Sequence, residues 1–125
     1  MTLLEHYIAG WRAHDVTAIL ETLTLDCVVV ESFGPIYRGH DCVARWVSTW
    51  LAEDGLVIDW TVRDLQSSPG CEIAEWTFHY TWRGEEKSFD GATIAELHEG
   101  KLSYLREYAT TAALYEWSGE WQTID

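Results

Sequence analysis

The chain has 125 residues, 47% of them hydrophobic, and a formal net charge of −13. That length fits one domain, here taken as residues 1–125, and the apolar content excludes a disordered chain. Eight Lys and Arg against 21 Asp and Glu exclude nucleic acid and anionic membrane as partners, because both need clustered cations.

Leu4, Tyr7, Ile8 and Trp11 recur at i, i+3, i+4, i+7 and predict a first helix. Asp15 reads as the N-cap of a short second helix carrying Val16, Ile19, Leu20 and Leu23. The β-branched run CVVVES predicts a buried strand, and FGPIYRG, with Gly34, Pro35 and Gly39, predicts a loop. From His40 to Asp54 a stripe of Val43, Trp46, Val47, Trp50 and Leu51 predicts a third helix, stopped by Gly55. The period then drops to two. LVIDWTVRDL sets Ile58, Trp60 and Val62 against Asp59, Thr61 and Arg63. CEIAEWTFHYTW sets Ala74, Trp76, Phe78, Tyr80 and Trp82 against Glu75, Thr77, His79 and Thr81. RGEE and HEGK read as hairpin turns, with KSFDGATIAEL and LSYLREYATTAALY as the last two strands. Helices first and a hairpin-linked meander after predict an α+β fold, three N-terminal helices packed on a curved antiparallel sheet. Residues 116–125 form a tail, where Trp117 and Trp121 predict docking against the domain or a partner copy.

Eight Trp, six Tyr and three Phe exceed what a small solid core needs, since each buries roughly 150–250 Å². They either line a cavity or interface, or pack as an unusually aromatic core. Cys27, Cys42 and Cys71 form no CxxC pair and read as reduced thiols. The N-terminus has no basic region ahead of an apolar run, and no stretch approaches the ~20 apolar residues of a membrane span. A cytoplasmic location is expected. The five His residues lack metal-ligand spacing, so neither a metal nor another cofactor is expected.

Three stretches carry a resemblance: VVVESFGPIYRGHDCVARW, AEWTFHY and FDGATIAELHEGKLSYLREY. With the order of elements, they resemble the nuclear transport factor 2-like superfamily, which includes SnoaL-like polyketide cyclases, ketosteroid isomerase and limonene epoxide hydrolase. The resemblance implies a cone-shaped α+β barrel whose bent sheet and helices enclose an apolar pocket. Trp76, Phe78 and Tyr80 would face into it, Trp46 and Trp50 would cover it, and Leu105 would share the inward phase. It also implies a homodimer through the convex face, carrying Glu75, Thr77, His79 and Tyr104, and a small apolar ligand or substrate.

Two acids are candidate catalytic residues. Glu31 follows three consecutive valines, where a charge is costly unless paired or neutralised. Glu107 lies in phase with Leu105, and the resemblance places it where epoxide hydrolases of this fold activate water. In one apolar cavity, burial and mutual repulsion would raise at least one pKa. A neutral acid beside a carboxylate suits acid/base chemistry, with Glu107 as base and Glu31 as partner acid or polariser. Otherwise Glu107 pairs with Arg106 or Arg63, or Glu31 caps the third helix. The epoxide hydrolases' Arg-x-Asp pair is replaced here by Trp76-Thr77-Phe78, and the chain contains no asparagine. Epoxide opening by their mechanism is therefore not expected. The remaining alternatives are a cofactor-independent isomerase, cyclase or dehydratase, and a non-catalytic binding or dimerisation domain.

Overall fold

Local sequence signals set the helices. In a computed structural model that describes residues 1–122, α1 spans Leu3–Arg12 and opens with a capping box between Thr2 and Glu5. Asp15 caps α2 (Val16–Glu21) by accepting from the Ala18 N–H at 3.1 Å. α3 spans Gly39–Ala52. Its stop uses two residues: Asp54 takes the left-handed conformation (φ 63°) and the Gly55 N–H returns to the Trp50 carbonyl at 3.0 Å. Gly55 is needed for space, since a Cβ there would lie 2.4 Å from the Trp50 ring. No helix among the described residues is long and apolar enough to cross a membrane.

The strands are β1 (Leu23–Val30), β2 (Ile36–Arg38), β3 (Leu56–Ser68), β4 (Cys71–Trp82), β5 (Glu85–His98) and β6 (Lys101–Ala109). They form one curved sheet in the order β2-β1-β6-β5-β4-β3. Three differences from the sequence expectation follow from its pairing. The sheet is mixed, because β1 runs parallel to β6; chain-end strands with no hairpin between them are free to pair this way. The sheet is also unclosed, with β2 and β3 at its two edges. Finally, IYR inside the expected loop pairs with β1, Val29 opposite Tyr37, because Gly34 (φ 113°) turns the chain back on itself.

β3 departs from strict alternation. Register shifts at Ile58 and Arg63 break its pairing with β4, and each extra residue bends the strand. Val57 and Trp60 therefore face inward together, while Ile58, expected inward, is 42% exposed. β4 follows its expected alternation, with Ala74, Trp76 and Tyr80 buried and Glu75 and Thr77 exposed. Glu72 also lies on the buried face, where its carboxylate accepts from the Leu4 N–H at 2.8 Å. That bond satisfies a free N–H in the first turn of α1 and ties the helix to the sheet. β6 ends at Ala109 rather than Tyr115, after the Thr110 N–H reaches the Asp90 carbonyl. Trp117 and Trp121 pack on each other at 5.3 Å and stay 59% and 77% exposed, so they do not dock on the domain. Residues 123–125 of the tail lie outside the described residues.

Candidate functional site

The inner face of the sheet and the facing sides of α1 and α3 enclose a cavity of about 710 Å³. The packed core lies outside its lining: Leu4, Ile19, Val29, Val43, Val47 and Leu102 are fully buried. Its walls are aromatic. Trp76, Phe78 and Tyr80 alternate along β4 on one side, while Trp46 and Trp50, four apart on α3, stand opposite. Trp60 meets Trp76 and Phe78 edge-on at 5.4 and 5.0 Å, and Phe78 stacks on Tyr80 at 4.8 Å. Trp11 bridges to α3, 4.9 Å from Trp46 and 5.6 Å from Trp50. Such contacts between flat rings cannot close every gap around a bent sheet, so the surplus aromatics leave space as well as fill it. The exposed residues Phe33, Arg45 and Lys87 mark the mouth.

Both candidate acids line this cavity. The parallel pairing brings them together: Val29 lies beside Leu105 and Val30 beside Arg106, so the next step sets Glu31 beside Glu107. Paired residues on parallel strands project to the same side. Glu31 sits just past the end of β1, where its N–H bonds the Pro35 carbonyl at 3.0 Å and the Gly34 N–H bonds its carbonyl at 3.0 Å. That tight turn aims the side chain inward. Its Oε1 accepts from the Tyr37 hydroxyl at 2.9 Å, and Tyr37 is itself held flat against Trp46 at 4.0 Å.

The alternative partners are engaged elsewhere. Arg63 makes a two-pronged bond to Glu75 at 2.6 Å, and Arg106 lies over the Tyr108 ring. Arg38, not Glu31, occupies the N-cap of α3. Glu107 has no ion pair among the described residues. Its carboxyl is accordingly pushed up to about 8, first by burial and second by the charge of Glu31. Burial also raises Glu31, opposed by the Tyr37 hydrogen bond, which favours the ionised form. The pair therefore differs in kind: Glu107 carries a proton at neutral pH, and Glu31 is the first to ionise. Burial and the neighbouring Glu31 also raise the Tyr37 phenol well above its ordinary range, so it remains a donor.

Leu105, expected in the wall, lies instead in the core beneath it, fully buried and outside the lining. Its register partner Val29 is likewise fully buried in that core. Trp11, Trp60, Trp82 and Phe89 also line the cavity and were not singled out for it from the sequence. The heptad-like stripe of α1 already marked Tyr7 and Trp11 as inward, but periodicity cannot tell a core position from a cavity wall. His14, which follows α1, accepts from the Val57 N–H at 3.0 Å and ties the α1–α2 corner to the first bulge of β3.

Polar groups at the inner end of the cavity are incompletely paired. The Trp76 indole N–H donates to Thr93 Oγ1 at 2.8 Å. Tyr7 Oη, Trp11 Nε1 and Trp60 Nε1 have no partner among the described residues. A buried donor left without an acceptor costs about 1–3 kcal/mol.

The SnoaL-like domain family matches residues 4–105. No curated protein matches the sequence. Solved structures with the same fold include a protein with a ketosteroid isomerase-like fold from Catenulispora acidiphila DSM 44928, in complex with trimethylamine. It is 16% identical, covers 86% of each chain and has a TM-score of 0.74. An LEH-like epoxide hydrolase from M. tuberculosis is 14% identical over 86% of this chain and 80% of its own, with a TM-score of 0.76. A nuclear transport factor 2-like protein from Burkholderia thailandensis E264 is 18% identical over 86% and 88%, with a TM-score of 0.73. The fold is thus shared with at least one enzyme, and these identities speak to fold alone. On the family match across most of its length, the chain belongs to the SnoaL-like domain family.

Proposed function

We propose that the cavity is the active site of a cofactor-independent acid/base enzyme acting on a small, mostly apolar molecule by isomerisation, cyclisation or dehydration. The observation that carries this reading is the pair of unlike carboxyls, Glu31 and Glu107, in one aromatic-walled cavity. A carboxylate and a carboxylic acid side by side can take a proton from one atom and give one to another. The pKa directions reverse the roles expected from sequence. Glu31, held by Tyr37, is the base, and Glu107, neutral at pH 7, is the acid. Trp46, Trp50, Trp76, Phe78 and Tyr80 supply the walls that bind the apolar body and exclude water.

The test is a screen of small apolar compounds for proton-transfer turnover, followed by substitution. Glu31→Gln and Glu107→Gln should each lower kcat about 10²–10⁴-fold, the usual size of a general acid or base contribution. The pH–rate profile should be bell-shaped, with a descending limb near 8 as Glu107 loses its proton. Turnover unchanged in either variant contradicts the assignment. So does a rate that only rises through pH 8, which would make Glu107 the base.

We also propose that the protein pairs with a second copy through the outer face of the sheet. Support comes from Ile73 and Ile94, register partners on β4 and β5 that stay 41% and 40% exposed on that face, beside the partly exposed Tyr104 and Tyr108 of β6.

A further inference from the structure

After β6 the chain carries two large apolar side chains that no described residue covers. Trp117 and Trp121 pack on each other at 5.3 Å yet stay 59% and 77% exposed. The segment around them is shaped: Gly119 turns it (φ 110°), and the Gln122 N–H donates to the Tyr115 hydroxyl at 3.2 Å. A loop arranged in advance loses less freedom when it binds. Glu116 and Glu120 each precede one of the indoles, so the loop is both aromatic and acidic.

A surface of complementary character lies on the outer face of the sheet. There β2, β1 and β6 border a groove of about 740 Å³. Pairing sets its rows, with Arg38, Val28 and Tyr104 in one and Ile36, Val30 and Arg106 in another. Glu31 and Glu107 border the groove as well, but both line the cavity on the inner face. The outward charges of the groove are thus two guanidinium groups. Although the chain carries a net charge of −13, neither arginine has an ion pair among the described residues.

The tail is steered away from its own groove. The Thr110 N–H and hydroxyl both donate to the Asp90 carbonyl, at 2.9 and 3.0 Å. Those bonds tie the start of the tail to β5, whereas the groove lies on the β1 side of β6. We propose that the tail of one copy docks in the outer groove of a second copy, and reciprocally. Trp117 and Trp121 cover Val28, Val30 and Ile36, while Glu116 and Glu120 meet Arg38 and Arg106. A reciprocal exchange obeys two-fold symmetry, and Trp and Arg are the side chains that most often dominate an interface. The docking goes beyond the outer-face pairing and is continuous with it, since Ile94 is the register partner of Arg106.

The test is sedimentation of the full-length chain over a dilution series. Trp117→Ser with Trp121→Ser should raise the dimer dissociation constant about 30-fold, the size of one interface hot spot. Arg38→Glu with Arg106→Glu should raise it as well. If that variant fails to fold, Ile36→Glu replaces it, at an exposed position of the same groove. A mixture of the tail and groove variants regains one intact contact, because the first keeps the groove and the second keeps the tail. It should therefore form heterodimers tighter than either variant forms alone. A dimer that ignores both variants overturns the docking and leaves the outer-face pairing standing. One weakened by the tail variant yet unmoved by Ile73→Lys with Ile94→Lys keeps the docking and removes that pairing. A wild-type monomer, or a mixture of folded variants with no gain, overturns the docking.

Discussion

At the scale of single residues, Glu107 decides the electrostatics of the cavity. Its carboxyl holds its proton up to about 8 in the folded chain, against an ordinary 4.5. The folded state therefore binds that proton more tightly than the unfolded state does. The resulting stability is complete below pH 4.5 and is lost as pH rises through 8. Glu107→Gln cannot ionise, so it should be more stable than wild type at pH 9 by about 2–4 kcal/mol, less than full linkage because the cavity is open at its mouth. At pH 3.5, below the ordinary 4.5, the two proteins should unfold at nearly the same urea concentration. A variant that is equally stable, or less so, at pH 9 would mean Glu107 ionises in the fold without penalty. Glu31 was legible in the sequence because a carboxylate after three valines is a costly position, whereas Glu107 was singled out through the resemblance, which places its strand phase inward. The sequence did not reveal their roles. Those depend on Tyr37, whose hydroxyl comes from a segment that reads as loop and donates to Glu31 at 2.9 Å.

Among elements, the helices and β4 were plain in the sequence because capping residues and period-two alternation act over a few neighbours. Pairing was not. The parallel contact of β1 with β6 joins segments more than 70 residues apart, and no local pattern encodes it. That contact is what sets Glu31 beside Glu107. The bulge at Ile58 was equally hidden, since LVIDW alternates well enough to suggest Ile58 inward when Val57 takes that place. Where strands come closest, Gly91 is required: opposite Trp76, a Cβ there would lie 2.6 Å from the indole and 2.4 Å from the Tyr108 carbonyl. The exposed isoleucine pair on the other face of β4 and β5 gives the proposed dimer its test. Sedimentation at micromolar concentration should give twice the 14.4 kDa chain mass, and Ile73→Lys with Ile94→Lys should return it to the monomer by placing like charges across a shared face. A wild-type monomer at those concentrations would rule the interface out.

For the molecule as a whole, composition foretold more aromatic side chain than a solid core uses, and the chain resolves this by building both. A packed core of Leu4, Ile19, Val29, Val43, Val47, Leu102 and Leu105 stands apart from the lining of an aromatic-walled cavity of about 710 Å³. Leu105 was misplaced between them because inward phase is common to core and wall. The central claim is that Glu31 and Glu107 share that cavity as an ionised and a neutral acid. The most direct test is to follow the Glu107 carboxyl carbon by NMR as pH rises, in wild type and in Glu31→Gln. A midpoint of about 8 is expected in wild type, and a lower one, still above 4.5, once the neighbouring charge is removed and burial alone remains. A wild-type midpoint near the ordinary 4.5, or one that ignores Glu31→Gln, would contradict it.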